Sequence, residues 1–70
     1  MDRKFVDSSS LEWVGYDAEK ELLVIRFVSG GLYEYSEVPA DVYEALMAAE
    51  SKGRFFRSRI RGEYDYVKLN

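Results

Sequence analysis

The sequence predicts an α+β fold, a three-stranded antiparallel β-meander followed by one or two helices packed on one face of it. Three observations carry that prediction. β-branched and aromatic residues concentrate between residues 11 and 38, in short runs separated by turn residues. Apolar residues take up helical spacing only after Pro39. With 70 residues, the chain is long enough for one domain.

Residues 1–7 are polar apart from Phe5-Val6 and read as a flexible N-terminal arm or a short edge segment, leaving residues 8–70 as the domain. The first strand spans 11–16, with Leu11 and Trp13 on one face and Val14 and Tyr16 on the other. Asp17-Ala18-Glu19-Lys20 forms a polar hairpin loop. The second strand, 21–28, puts Leu23, Ile25 and Phe27 on one face and Leu22, Val24, Arg26 and Val28 on the other, the pattern of a central strand. Ser29-Gly30-Gly31 is a turn signature, because glycine reaches positive φ without steric cost. The third strand spans 32–37. A three-residue loop before it places Tyr33 and Tyr35 beside Ile25 and Phe27, and Glu34 on the face of Arg26; a two-residue loop would exchange the faces.

The first helix is expected over 39–50, with Pro39 in its first turn and Asp41 complementing the macrodipole. Val42, Leu46 and Ala49 recur at i, i+4 and i+7, flanked by Tyr43 and Met47. Ser51-Lys52-Gly53 breaks it. Phe56 and Ile60, four apart, mark a second helix over 54–61, which Gly62 ends. Tyr64 to Val67 reads as an extended segment that docks on the rest.

Composition excludes much chemistry. The chain contains no cysteine and no histidine, which removes disulfides, thiolate nucleophiles, histidine-based triads and the commonest metal ligands. Ser8, Ser9 and Ser10 therefore have no histidine base, and no lysine stands at a recognisable spacing to replace it. There is no P-loop, GxGxxG or metal-binding spacing, and Asp17-Glu19-Glu21 matches no EF-hand. The 13 carboxylates read as solvated surface charge. The expectation is a binding domain, not an enzyme, with no catalytic residues, cofactor or metal. No apolar run approaches about 18 residues and none follows the N-terminus, so the setting expected is cytoplasmic, with no membrane span or signal peptide.

Charge is segregated along the chain. The net charge is −3, yet residues 52–61 hold Lys52, Arg54, Arg57, Arg59 and Arg61 with no acid, a net +5. Residues 1–51 hold four basic and eleven acidic side chains. On a helix, Arg54, Arg57 and Arg61 would fall within about 60° of one another, beside the apolar Phe56 and Ile60 stripe. One reading pairs these arginines with the acidic remainder of the surface. The other has Lys52, Arg54, Arg57, Arg59 and Arg61 hold the phosphates of RNA or another polyanion, since guanidinium forks suit phosphate oxygens and stack on bases. Tyr33 and Tyr35 are open to the same division: core residues with hydroxyls at the rim, or a base-stacking platform. Trp13 reads as core. The alternative function is a protein partner or homodimer contact through Val14, Leu22, Val24 and Leu32, a sheet face that helices on the other side would leave uncovered.

The order of these features resembles the KTSC domain family, named after a C-terminal region of some lysyl-tRNA synthetases. The resemblance is carried by Ser8-Ser9-Ser10, Val14-Gly15-Tyr16-Asp17, the Leu23/Ile25/Phe27 strand and Tyr33-Glu34-Tyr35. It continues through Val38-Pro39 with Val42-Tyr43, Lys52-Gly53-Arg54-Phe55-Phe56 and Ile60-Arg61-Gly62-Glu63-Tyr64, and covers roughly residues 8–69. It implies a small domain, often a stand-alone bacterial or phage protein. Its function is not established, and RNA binding is proposed by association with the synthetase.

Overall fold

A computed structural model describes residues 2–70. Five strands form one antiparallel sheet in the order of the chain: β1 (Arg3–Phe5), β2 (Leu11–Asp17), β3 (Leu22–Phe27), β4 (Leu32–Tyr35) and β5 (Tyr66–Lys68). Between β4 and β5 lie α1 (Ala40–Ala48) and α2 (Lys52–Phe55), and α2 runs on into a π-helical turn over Phe56–Ile60. The fold is α+β with the three-stranded meander at its centre, and two short edge strands extend that meander to five. Residues 3–5, expected as an arm or edge segment, form the β1 edge; Met1 lies outside the described residues. β5 is the docked C-terminal segment.

The β3–β4 hairpin sets which side chains face the helices. Phe27 N–H donates to Gly31 O (2.8 Å) and Gly30 N–H to Phe27 O (2.8 Å), which closes a three-residue loop over Val28–Gly30. Gly30 takes φ +111°, a conformation L side chains rarely adopt. Odd-numbered residues of both strands therefore share a face, Tyr33 opposite Ile25 and Tyr35 opposite Leu23. Glu34 falls on the face of Arg26 but stands opposite Val24.

The β2 pattern is broken by a bulge. Leu11 stands opposite Phe27 and Trp13 opposite Arg26, so Glu12 is an extra residue between them. Leu11 and Trp13 consequently lie on opposite faces, contrary to strict alternation. Leu11 joins Val14 in the core; Trp13 is half-buried on the helix-free face, outside the core cluster, with the Arg3 guanidinium 5.1 Å from its ring centroid.

The core lies between one sheet face and the helices. Leu11, Val14, Leu23, Ile25 and Tyr35 of the sheet meet Val38, Leu46, Phe56 and Ile60. Tyr16 ties α1 to the sheet: its ring stacks on Tyr43 at 4.5 Å and 7°, and its hydroxyl donates to Val38 O. Burial, together with Glu21, Asp41, Asp17 and Glu44, raises the Tyr16 pKa. The accessible surface is 4,631 Å², close to the ~4,500 Å² that scaling gives for a folded chain of this mass.

Pro39 stands at the N-cap of α1, one position ahead of its expected place inside the helix, and Ala49 lies beyond the helix end. The helical run is broken at 49–51, a little ahead of the expected 51–53, and Ser51 starts α2. Ser51 Oγ accepts from Arg54 N–H (3.3 Å) as an N-cap, and Gly53 is inside the helix. Lys52 Nζ donates to Ala49 O (3.0 Å), satisfying a carbonyl at the end of α1.

Candidate nucleic-acid interface

The basic run starts at Lys52, the first residue of α2, and wraps around the π-helical turn. Arg61 N–H donates to Phe56 O (2.9 Å), an i→i+5 bond that widens the turn. Phe56 and Ile60 point into the core, while Arg57, Arg59 and Arg61 are exposed. Arg57 and Arg61 reach a groove between this turn and the β3–β4 end of the sheet. Arg54 does not line that groove, so the common side expected for Arg54, Arg57 and Arg61 reduces to a pair. Arg59 lies over the Phe55 ring at 5.5 Å, and Lys52 caps α1 instead of facing the groove.

The groove has two connected compartments. One, of about 460 Å³, is lined by Ser9, Ser10, Leu11, Phe27, Val28, Ser29, Gly53, Phe56, Arg57 and Arg61. The other, of about 330 Å³, is lined by Phe27, Ser29, Tyr33, Tyr35, Phe56, Arg61, Gly62 and Tyr66. Phe27, Ser29, Phe56 and Arg61 belong to both. The aromatic wall is edge-packed: Phe27 meets Phe56 at 5.1 Å and 69°, and Tyr35 meets Phe56 at 5.6 Å and 74°. Tyr33 meets Tyr66 at 5.6 Å.

Electrostatics favour an anion here. The one ion pair among the described residues is Arg26 Nε to Glu12 Oε1 at 3.8 Å, on the opposite face of the sheet. The acidic remainder of the chain therefore neutralises none of Arg54, Arg57, Arg59 and Arg61 by direct contact. Arg57 is located by a close approach: a Cβ built on Gly53 would lie 2.7 Å from Ser10 Oγ and 3.4 Å from Arg57 Nη1.

The tyrosines divide between the two readings. Tyr35 is 5% exposed and belongs to the core, showing only an edge in the groove. Burial above all, then Tyr33 and Tyr66, pushes its phenol pKa up to about 12, against an opposing pull from Arg61. Tyr33 is half-buried at the rim, and Tyr66 of β5 is 59% exposed beside it. Sequence reasoning missed Phe27, Phe56, Tyr66, Ser10 and Ser29 as groove residues. Only the tyrosine alternation at 64–66 marked one of them.

On the helix-free face, Leu22, Val24 and Leu32 share a side as expected, but Val14 does not. It pairs with Ile25 and is fully buried against the helices, because beyond the bulge at Glu12 the even-numbered residues of β2 face the core. Val24 is itself buried. The edge strands add Phe5 and Val67 to this face, and Leu69, whose N–H donates to Leu32 O (2.7 Å), lies beside Leu32. No three metal-ligating side chains converge among the described residues; Asp17 Oδ1 accepts instead from Glu19 N–H and Lys20 N–H. Nor is any described helix long and apolar enough to cross a membrane.

Comparison with known proteins agrees with this architecture. A crystal structure of a KTSC domain protein from Yersinia pestis superposes with a TM-score of 0.95 at 38% identity, over 99% of this chain and 97% of that one. An uncharacterised protein of Stutzerimonas stutzeri is 42% identical over the full length of both chains. A lysine–tRNA ligase of Nostoc sp. is 36% identical over 64 residues, which are 91% of this chain and 11% of the ligase. The KTSC domain model matches residues 7–64, from the serine turn through the basic turn, and on that match and these near-full-length likenesses the chain belongs to the KTSC domain family.

Proposed function

We propose that this domain binds single-stranded RNA in the groove between the π-helical turn and the sheet. The observation that carries this reading is the Arg57 and Arg61 pair, which flanks an aromatic-walled groove with no carboxylate in contact. Guanidiniums hold phosphates, and exposed aromatic rings stack bases. A duplex would hide its base faces from such a wall. The occurrence of the domain in proteins named lysine–tRNA ligase favours RNA over other polyanions. The net charge of −3 is no obstacle, since no described carboxylate lines the groove or pairs with its arginines and the field there is set by the nearest charges.

The test is an amide chemical-shift titration with a short mixed-sequence single-stranded RNA at about 50 and 200 mM salt. Two phosphate contacts on a single strand give a slope near −1.4, hence about sevenfold weaker binding at the higher salt. Shifts should centre on residues 53–62 and on Tyr33 and Tyr66. Silence at the lower salt removes the proposal.

A second reading, self-association through the helix-free sheet face, is favoured by Phe5, Val67 and Leu69, which are 72%, 55% and 47% exposed on the face that also carries Leu22 and Leu32.

A further inference from the structure

The two compartments of the groove differ in chemistry and share a wall. One is bordered by Ser9, Ser10 and Ser29 and by Arg57 and Arg61, together with the apolar Leu11, Phe27, Val28 and Phe56. The other is bordered by the aromatic Phe27, Tyr33, Tyr35, Phe56 and Tyr66, together with Ser29 and Arg61. Arg61 stands at the junction and lines both. At about 460 and 330 Å³, each lies in the lower part of the range of ligand-binding clefts, about 300–1,000 Å³. A ligand matched to both has a flat aromatic part and a compact anionic part joined by a short polar spacer. That is the chemistry of a nucleoside monophosphate.

We propose that the groove is a single-nucleotide site, with the base in the tyrosine compartment and its phosphate in the serine–arginine compartment. The inference deepens the RNA-binding reading and rests on it. It assigns the recognition unit as one base with its own phosphate, in place of a row of phosphates tracked along the basic turn. Arg54 and Arg59, which lie outside the groove, are then dispensable. Arg61 holds the phosphate where it can also lie against the base. Tyr66, on an edge strand and 59% exposed, supplies the outer stacking ring.

The source of the nucleotide, free or within a strand, is decided by the arms of one experiment. The labelled full chain is titrated with adenosine 5′-monophosphate, adenosine, inorganic phosphate and a short single-stranded RNA. The expected result is that the monophosphate shifts residues of both compartments, with adenosine and phosphate each at least about tenfold weaker. Arg61→Gln weakens monophosphate binding about tenfold, the loss of a charge-assisted hydrogen bond. Tyr66→Ala weakens it comparably, and Arg54→Gln with Arg59→Gln leaves it unchanged. Arg61 and Tyr66 are exposed, so both variants should keep the dispersion of the folded spectrum. A monophosphate that binds more tightly than the RNA supports the site and identifies its ligand as the free nucleotide. RNA binding that shifts Arg54 and Arg59, with no response to the monophosphate, overturns the inference and leaves the RNA reading standing. Silence from both ligands removes the two together.

Discussion

Burial of the Tyr35 ring against Phe56 and Leu23 sets a stability dependence at alkaline pH. Its phenol is pushed up to about 12, with desolvation the main cause, from a usual value near 10. The folded state therefore keeps a proton that the unfolded chain releases, and the stabilisation is complete below pH 10. It is lost as pH rises from about 10 through about 12, by about 3 kcal/mol in all. Tyr35→Phe removes this titration. Chemical denaturation at pH 9, 10 and 11 should show the wild type losing stability more steeply than the variant. Parallel curves would mean that the Tyr35 proton is not coupled to folding. The side on which Tyr35 sits was legible, because the hairpin parity placed Tyr33 and Tyr35 with Ile25 and Phe27. The fate of Trp13 was not. A bulge at Glu12 leaves no local mark in Leu11-Glu12-Trp13, and it alone separates the two apolar residues.

Among the elements, α2 differs most from its expected form. Gly53 looks like a helix breaker in the sequence, yet the glycine is needed because Ser10 packs against the helix where a Cβ would stand. That Cβ would lie 2.7 Å from Ser10 Oγ and 3.1 Å from Ser10 Cβ. No local pattern records such a contact, since Ser10 and Gly53 are far apart in the chain. Gly53→Ala should cost about 1–3 kcal/mol, the range for overpacking a filled site, despite the better helix propensity of alanine. In the Ser10→Gly background the same substitution should cost much less. A thermal-denaturation double-mutant cycle reads the difference, and equal costs in both backgrounds would show that the two residues do not compete for this space. The contact also bears on the groove, because Gly53 and Ser10 line it with Arg57. The three central strands and α1 were legible because their apolar pattern is long enough to show its period. β1 and β5 were legible only as an arm or edge segment and as a docking extended segment: each has three residues, all exposed, and their pairing comes from the neighbouring strand and not from their own composition.

For the molecule as a whole, helices on one face leave the other side of a five-stranded sheet uncovered. The apolar content of β3 on both faces made that legible, but the composition of the patch was not. Val14 belongs to the core, and the exposed apolar area comes from the two edge strands and Leu69, which follows β5. The two longest extents of the molecule are 28 and 26 Å, so one face offers about 700 Å² at most, slightly below the ~800 Å² per partner of a standard interface. An association built on it is therefore weak and concentration-dependent, and the exposed backbone of β1 and β5 invites no stronger pairing at three residues each. Because Phe5, Val67 and Leu69 are apolar, raising the salt should weaken this contact less than RNA binding at the groove, which separates the two. Sedimentation velocity across a wide concentration range should show the mean mass climbing above 8.2 kDa. Phe5→Ser with Leu69→Ser should suppress that rise without unfolding the chain, since both side chains are exposed and outside the core cluster. A wild type that stays at the monomer mass at every concentration, or a double variant that associates equally well, would remove this face as a self-association surface.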